Sequence, residues 1–322
     1  MKLFFTSLFL LAASICFAQR QNVYFLKNDG SYVDIKDSAD YIRVVTEPDS
    51  ASVLYNVFEF YLNNQKKSIG KSITVDPPRY DGLYTAYYEN GKRMSFVNYK
   101  NGIKMGDDFE FFPNGKLYLE LNYTDYHYTP ASRIEAGCLI KTCNDSLGKA
   151  LVIDGNGYFK GYSNDFKYTE EEGNIKDGHK DGQWKGENKS LQITFTETYD
   201  NGKLLSGHAV DKDGQIITYT ESRNIAPEFK GGINAFANYL VKSIRYPQKA
   251  RENRIQGRVI LTFIVEKNGN LSDLRVLRSV DTSLDDEALR VLKISPQWVP
   301  GTQFGKPIRV RYSVPIGFSL AN

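Results

Sequence analysis

The chain has 322 residues, about the length of two ordinary domains, and its 41% hydrophobic and 25% charged residues exclude wholesale disorder. The 41 Lys and Arg against 38 Asp and Glu give a net charge of +3, too balanced for a chain that binds nucleic acid along its whole length. Three Cys and three His leave too little material for a metal cluster, so we expect neither a metal nor another cofactor.

Residues 1–18, MKLFFTSLFLLAASICFA, predict a cleaved secretory signal peptide. Lys2 supplies a short positive start, and the apolar stretch that follows is shorter than the roughly 20 residues of a membrane span. Ala18 is a small residue before the predicted cut. Two alternatives are open: an uncleaved membrane anchor, and lipidation at Cys16.

Residues 19–79 are rich in strand patterns, and a short unit then recurs through residues 80–222. The unit is an aromatic pair, a polar turn and a basic residue, as in TAYYENGKRM (85–94) and FEFFPNGKLY (109–118). Asn-Gly and Asp-Gly supply the positive φ angles of a type I′ turn, and Tyr and Phe suit half-buried strand positions. One hairpin cannot bury its aromatic face alone, so we expect antiparallel hairpins in series.

This unit resembles the bacterial MORN-like repeats of the YwqK type, in which G-x-[YW]-x-x-[YF]-x-x-N/D-G-K recurs. The resemblance implies a structural spacer or a docking surface. Within the same region, four residues separate Cys138 from Cys143. In an oxidising compartment this spacing predicts a local disulfide, with two unpaired thiols in a turn as the alternative.

The pattern changes near residue 223. Residues 231–244 predict a helix with one apolar face, formed by Ile233, Phe236, Ala237, Leu240, Val241 and Ile244. Residues 257–280 alternate around Asn268-Gly269 as a hairpin, and 283–294 predict a helix capped by Ser283 with Asp286. Residues 305–320 alternate as a last strand. This order predicts a small α+β domain over residues 223–322.

This segment closely resembles the TonB C-terminal domain. The matching residues, in chain order, are Pro227-Glu228-Phe229-x-Gly231-Gly232, Tyr246-Pro247-x-x-Ala250, Ile255-Gln256-Gly257-x-Val259, Val265-x-x-x-Gly269, Leu284-Asp285-x-Glu287-Ala288-Leu289, Trp298-x-Pro300-Gly301, Gly305-Lys306-Pro307 and Tyr312-x-x-Pro315-Ile316. The predicted fold class is therefore a mainly β repeat region of antiparallel hairpins in series, followed by an α+β TonB-type domain.

The resemblance implies a periplasmic protein whose C-terminal domain binds an outer-membrane transporter, or another envelope protein, by adding an extended peptide to a sheet edge. It places the partner contacts in two groups: Arg245, Tyr246 and Pro247, and Ile308, Arg309, Val310, Arg311 and Tyr312 on the last strand. For the two arginines of the strand, a solvated outer face is the alternative. We expect no enzyme, because no nucleophile–base pair, metal set or phosphate loop is visible.

The sequence also allows other hypotheses for the function of the whole chain. One is a TonB energy transducer held in the inner membrane by an uncleaved N-terminus, although the Pro-rich spacer is absent. Another is a repeat-based structural protein that binds peptidoglycan, and a homodimer is also open. The charge is divided: residues 227–322 hold 15 Lys and Arg against 8 Asp and Glu, a net +7, whereas residues 19–226 hold 25 against 30, a net −5.

Overall fold

The computed structural model describes residues 20–124 and 138–320, and the chain divides into two compact units, 1–155 and 156–322. The predicted signal peptide lies outside the described residues. The boundary between the units falls inside the series of hairpins. The predicted division at 19–79, 80–222 and 223–322 stays a prediction.

The described part of the first unit consists of antiparallel strands and one 3-10 turn, Lys36–Ser38. The strands are β1 Gln21–Leu26, β2 Tyr32–Val33, β3 Tyr41–Thr46, β4 Tyr55–Tyr61, β5 Lys66–Ser72, β6 Gly82–Tyr87, β7 Arg93–Lys100, β8 Ile103–Phe111, β9 Leu117–Tyr123, β10 Cys138–Asn144 and β11 Ala150–Ile153. β1 pairs with β2 and β3, and from β3 to β11 each strand pairs with the next.

The Asn-Gly and Asp-Gly turns are of two kinds, where the sequence predicts one. Asn101-Gly102 has φ of 51° and 82°, so both residues are left-handed, as a two-residue type I′ turn requires. At Asn90-Gly91 only the glycine is left-handed, with φ 79°, and Tyr88 donates its N–H to the carbonyl of Lys92. That turn is a three-residue loop, and the register shift beside it is the bulge that such loops carry.

Side chains of the three-residue turns join each turn to the next one. Asn114 accepts the N–H of Lys116 at 2.9 Å and donates its Nδ2 to the carbonyl of Ser146 at 2.9 Å. Lys116 Nζ donates to the carbonyl of Leu147 at 2.7 Å. Asn90 and Lys92 make the same set of bonds one hairpin earlier. The Asn-Gly-Lys signature thus stacks the hairpins.

The second unit continues with hairpins and then changes to mixed α and β structure, which confirms the predicted fold class. Its elements are β12 Asn156–Tyr162, β13 Thr169–Lys176, β14 His179–Asn188, β15 Ile193–Asp200, β16 Lys203–Val210, β17 Ile216–Glu221, β18 Asn224–Ile225, α1 Gly232–Ser243, α2 Gln248–Glu252, β19 Gly257–Val265, β20 Leu271–Arg278, α3 Thr282–Lys293, β21 Thr302–Gln303, β22 Lys306–Pro307 and β23 Val310–Phe318. Strands β12 to β17 pair antiparallel in chain order.

Large aromatic rings of these hairpins cover glycines on the neighbouring strand. Gly173 pairs with Trp184, and a Cβ added at Gly173 would come within 2.4 Å of the indole. Gly207 pairs with Tyr219 in the same way, at 2.3 Å. Because only glycine leaves room for the ring, the glycine and aromatic positions of the repeat specify each other across strands.

In the C-terminal domain, helix α3 buries the predicted face, whereas helix α1 buries a different face from the predicted one. Leu284, Ala288, Val291 and Leu292 of α3 are all buried, although its cap is Asp281, whose carboxylate accepts the N–H of Ser283. On α1 only Phe236 is fully buried, and Ile233 and Val241 are 78% and 82% exposed. The buried face of α1 is therefore rotated from the predicted one: the helix packs through Phe236, Tyr239 and Leu240, and Ile244, just after its end, packs against the same core.

Candidate partner-binding site

The candidate site is the edge of a three-stranded sheet with the order β20-β19-β23. β23 pairs with β19 without a register shift, from Gly257 opposite Phe318 to Val265 opposite Val310. No other strand of the described residues pairs with β23, so one of its edges is open. An open edge presents main-chain N–H and C=O groups to which another strand can bond.

The two faces of β23 differ sharply. Val314, Ile316 and Phe318 are buried in the domain core, which also contains Trp298, whereas Arg311, Ser313, Pro315 and Gly317 face solvent. Tyr312 is half-buried, and its ring lies 5.9 Å from that of Trp298. The alternation predicted for this strand therefore holds, and it fixes β23 against the core while leaving its outer face wet.

Arg309, which lies just before β23, and Arg311, on the strand, are already paired within the domain. Arg309 donates Nε and Nη2 to the two carboxylate oxygens of Glu266, at 2.7 and 3.0 Å. Arg311 Nη2 donates to Asp273 at 2.9 Å, and Asp273 lies on β20, across β19 from β23. The hydrogen bond from Arg309 lowers the pKa of Glu266, and that from Arg311 lowers the pKa of Asp273. Arg311 thus reaches away from the open edge.

The structure does not bring the two predicted groups of site residues together. The hydroxyl of Tyr246 donates to the carbonyl of Ile255 at 2.5 Å, and its ring packs edge-on against Phe318 at 5.9 Å. Phe318 ends β23, eight residues from Val310, which is about 26 Å along an extended strand. Arg245 is exposed and donates its N–H to Glu287 at 2.6 Å, and Pro247 precedes α2.

Ile308 lies just before β23, in a loop that packs on the repeat hairpins of the same unit. Its N–H donates to the carbonyl of Gly301 at 2.9 Å. In this loop Phe304 is only 2% exposed, and its ring lies 5.3 Å from Phe195 and 5.9 Å from Tyr219. Lys306, in the Gly-Lys-Pro motif, forms an ion pair with Asp211 in the last hairpin turn. The start of β23 is therefore held by the hairpins.

Sequence reasoning missed the residue that organises this junction, Arg223. Its guanidinium lies 4.2 Å from the centre of the Phe195 ring and bonds Glu197 at 2.5 and 2.9 Å and Glu171 at 3.0 Å. Burial alone would raise the pKa of Glu171, but the charges of Lys180 and Arg223 outweigh it and lower the pKa to about 2. The partners are 26 and 52 residues from Arg223, so no local pattern marks them.

The predicted disulfide is corrected by the strand that carries both cysteines. Cys138 and Cys143 are the first and sixth residues of β10, both are buried, and they are not joined to each other. Five residues of extended chain span about 16 Å, whereas a disulfide needs Cα atoms within about 7 Å. Burial raises the pKa of the Cys138 thiol to about 12. The thiol of Cys138 is thus held protonated inside the sheet.

Two kinds of feature are absent from the described residues. Within 20–124 and 138–320, His, Cys, Asp and Glu side chains form no group of three that would suit a metal ion. None of the helices in those ranges has the length and apolar character of a membrane span.

With this geometry in place, the C-terminal domain is assigned to a class. Residues 242–320 match the family described as Gram-negative bacterial TonB protein C-terminal. The helices, the three-stranded sheet and the matched range agree, so this domain is of the TonB C-terminal type.

Two solved structures similar to this segment are solution structures of the Helicobacter pylori TonB C-terminal domain. The shorter is 23% identical and covers 27% of this chain and 90% of that chain, with a TM-score of 0.22. The longer is 24% identical and covers 29% of this chain and 87% of that chain, with a TM-score of 0.22. No curated protein matches the chain. The class therefore rests on the family match and the observed fold.

Proposed function

We propose that this chain is a TonB-like protein of the periplasm that binds an outer-membrane transporter, or another envelope protein, through its C-terminal domain. The observation that carries the proposal is the open edge of β23 in a domain of the TonB C-terminal type. The partner adds an extended segment to that edge, main-chain hydrogen bonds supply the affinity, and the binding supports transport across the outer membrane.

The repeat hairpins have a definite part in this function. They pack on the loop that leads into β23, through Phe304 and the pair of Lys306 with Asp211. The hairpins therefore support the binding strand as well as supplying a spacer or docking surface. A chain cut at residue 223 would expose Phe304, so the binding experiments use the full chain.

A crosslinking experiment tests the site of binding. Ser313→Cys places a thiol on the exposed edge strand, and Thr196→Cys places one on the exposed face of β15. The native Cys138 and Cys143 are buried, so they react little in the background. A cysteine-tagged peptide with the TonB-box sequence of an outer-membrane transporter is expected to form a disulfide with Ser313→Cys and not with Thr196→Cys. Equal trapping at both positions, or none at 313, contradicts the proposal.

The N-terminus decides between the periplasmic protein and an anchored energy transducer. Mass spectrometry of the protein purified from the native envelope measures where the mature chain begins. A start at Gln19 supports a released periplasmic protein. Retention of Met1–Ala18 supports a transducer held in the inner membrane.

A further inference from the structure

A proline lies on the open-edge strand. Pro315 has no N–H, and prolines in sheets occur on edge strands with the nitrogen facing outward. The side chain of Thr262 donates to the carbonyl of Tyr312 at 3.3 Å, so that carbonyl faces β19. In a ladder without register shifts alternate residues face opposite neighbours. The main-chain groups that face the open edge are therefore those of Arg311, Ser313, Pro315 and Gly317.

The edge offers an interrupted row of hydrogen-bond donors. Arg311 and Ser313 each present an N–H, Pro315 presents only a carbonyl, and Gly317 presents the next N–H. A strand added to this edge bonds at every second residue, so its carbonyl opposite Pro315 meets no donor. The longest uninterrupted part of the edge is the half that precedes Pro315.

We propose that a partner strand pairs only with Arg309 and the first half of β23, Val310 to Val314, and that Pro315 ends the pairing. This inference rests on the proposed function and adds the register and length of the recognised segment. The partner is a short extended peptide with an apolar side chain beside the half-buried Tyr312 ring. It needs no acidic side chain, because Glu266 and Asp273 already pair with the arginines.

The proposal separates the two groups of predicted site residues. The residues from Ile308 to Tyr312 lie in or next to the segment proposed to pair. Tyr246 instead packs on Phe318, at the other end of β23 and beyond Pro315. Tyr246 and Pro247 then serve the packing of the domain, and Arg245→Ala leaves the affinity for the peptide unchanged.

Two matched proline variants of the full chain test the proposal. Ser313→Pro and Gly317→Pro each remove one N–H from the open edge, both positions are exposed, and a Cβ at Gly317 meets nothing within 4 Å. The probe is a fluorescent peptide with the TonB-box sequence of an outer-membrane transporter, and its Kd is measured by anisotropy. We expect Ser313→Pro to weaken binding by about tenfold and Gly317→Pro by less than about twofold.

Thermal unfolding shows whether either introduced proline disturbs the fold. If one does, a third variant still tests the proposal. Pro315→Ala returns an N–H to the edge, and peptide-induced protection from hydrogen exchange is expected to extend to Gly317 only in this variant. Equal losses from the two proline variants, or protection of Gly317 in the wild type, overturn the inference. A wild-type chain that binds no peptide overturns the proposed function instead.

Discussion

At the scale of single residues, charges inside the second unit hold the loop before β23 in place. Glu197 is 1% exposed and accepts hydrogen bonds from Arg223 and from the hydroxyls of Tyr199 and Tyr219. Glu171 is held by the same arginine and by Lys180, which is 5% exposed. Removing one member of such a buried set leaves an opposite charge uncompensated, which costs more than losing an exposed pair.

The depressed pKa of Glu171 predicts how stability depends on pH. Because the folded chain favours the ionised carboxylate, this contribution is complete above the ordinary pKa of 4.5 and is lost as the pH falls towards about 2. A pKa shift of that size corresponds to a contribution on the order of a few kcal/mol to the free energy of unfolding. Glu171→Gln is expected to flatten the curve of urea midpoint against pH between 4.5 and 2.

The neighbouring residue supplies a matched control for this prediction. Glu172 pairs with Lys185 at 3.0 Å, and the lysine side chain is 66% exposed, so solvent screens the pair. Glu172→Gln should leave the pH curve close to that of the wild type. If Glu171→Gln and the wild type lose stability in parallel below pH 4.5, the buried set does not stabilise the fold in this way.

At the scale of elements, side-chain hydrogen bonds join successive turns of the first unit. Each asparagine caps its own turn and bonds the next one, and each lysine reaches a carbonyl of the next turn. The ammonium groups of Lys92 and Lys116 are therefore already hydrogen-bonded within the fold. The repeat signature is therefore explained by the stacking of the turns.

Asn114→Ala tests the stacking. The change removes the bond that caps the turn and the bond to Ser146, so we expect a loss of about 1–2 kcal/mol in the free energy of unfolding. Urea unfolding of the full chain measures it. Asn234→Ala, on the exposed surface of α1, is the control and should change stability by less than about 0.5 kcal/mol. Similar values for both variants would falsify the stacking role.

The parts of the fold that the sequence predicted are those with local signals. The hairpin series, helix α3 and the last strand follow from alternation, turn residues and helical spacing. Helix α1 shows the limit: Ile233 and Val241 share one side of the helix, but Phe236 meets Trp298 and Phe229, and this tertiary contact sets the buried side. The sequence predicts a disulfide between Cys138 and Cys143 because nothing local marks strand β10, which holds the two residues apart.

The candidate site, too, was only partly predictable from the sequence. The last strand and its alternation were predictable, and its role in partner binding stays a prediction from the resemblance. The open edge depends on strand order, and the pairing of Arg311 with Asp273 depends on a contact across β19, which no short pattern encodes. Arg223 is the plainest case, because its partners are the buried Glu197 and the half-buried Glu171, both far from it along the chain.

At the scale of the whole molecule, the chain joins a repeat region with a net charge of −5 to a basic domain with a net charge of +7. The second unit combines the last hairpins with that domain, so the binding strand is supported by repeats rather than carried on a loose linker. In the proposed function, the positive charge of this domain speeds encounters with negatively charged surfaces of the envelope.

In the proposed function, the partner binds at the open edge of β23. Residue-resolved hydrogen exchange of the full chain, with and without a TonB-box peptide, measures this directly. We predict that the peptide slows exchange at the amides of Arg311 and Ser313 and leaves the repeat strands β4 to β17 unchanged. Slowed exchange confined to the repeats, with the amides of residues 311 and 313 unaffected, would contradict the account.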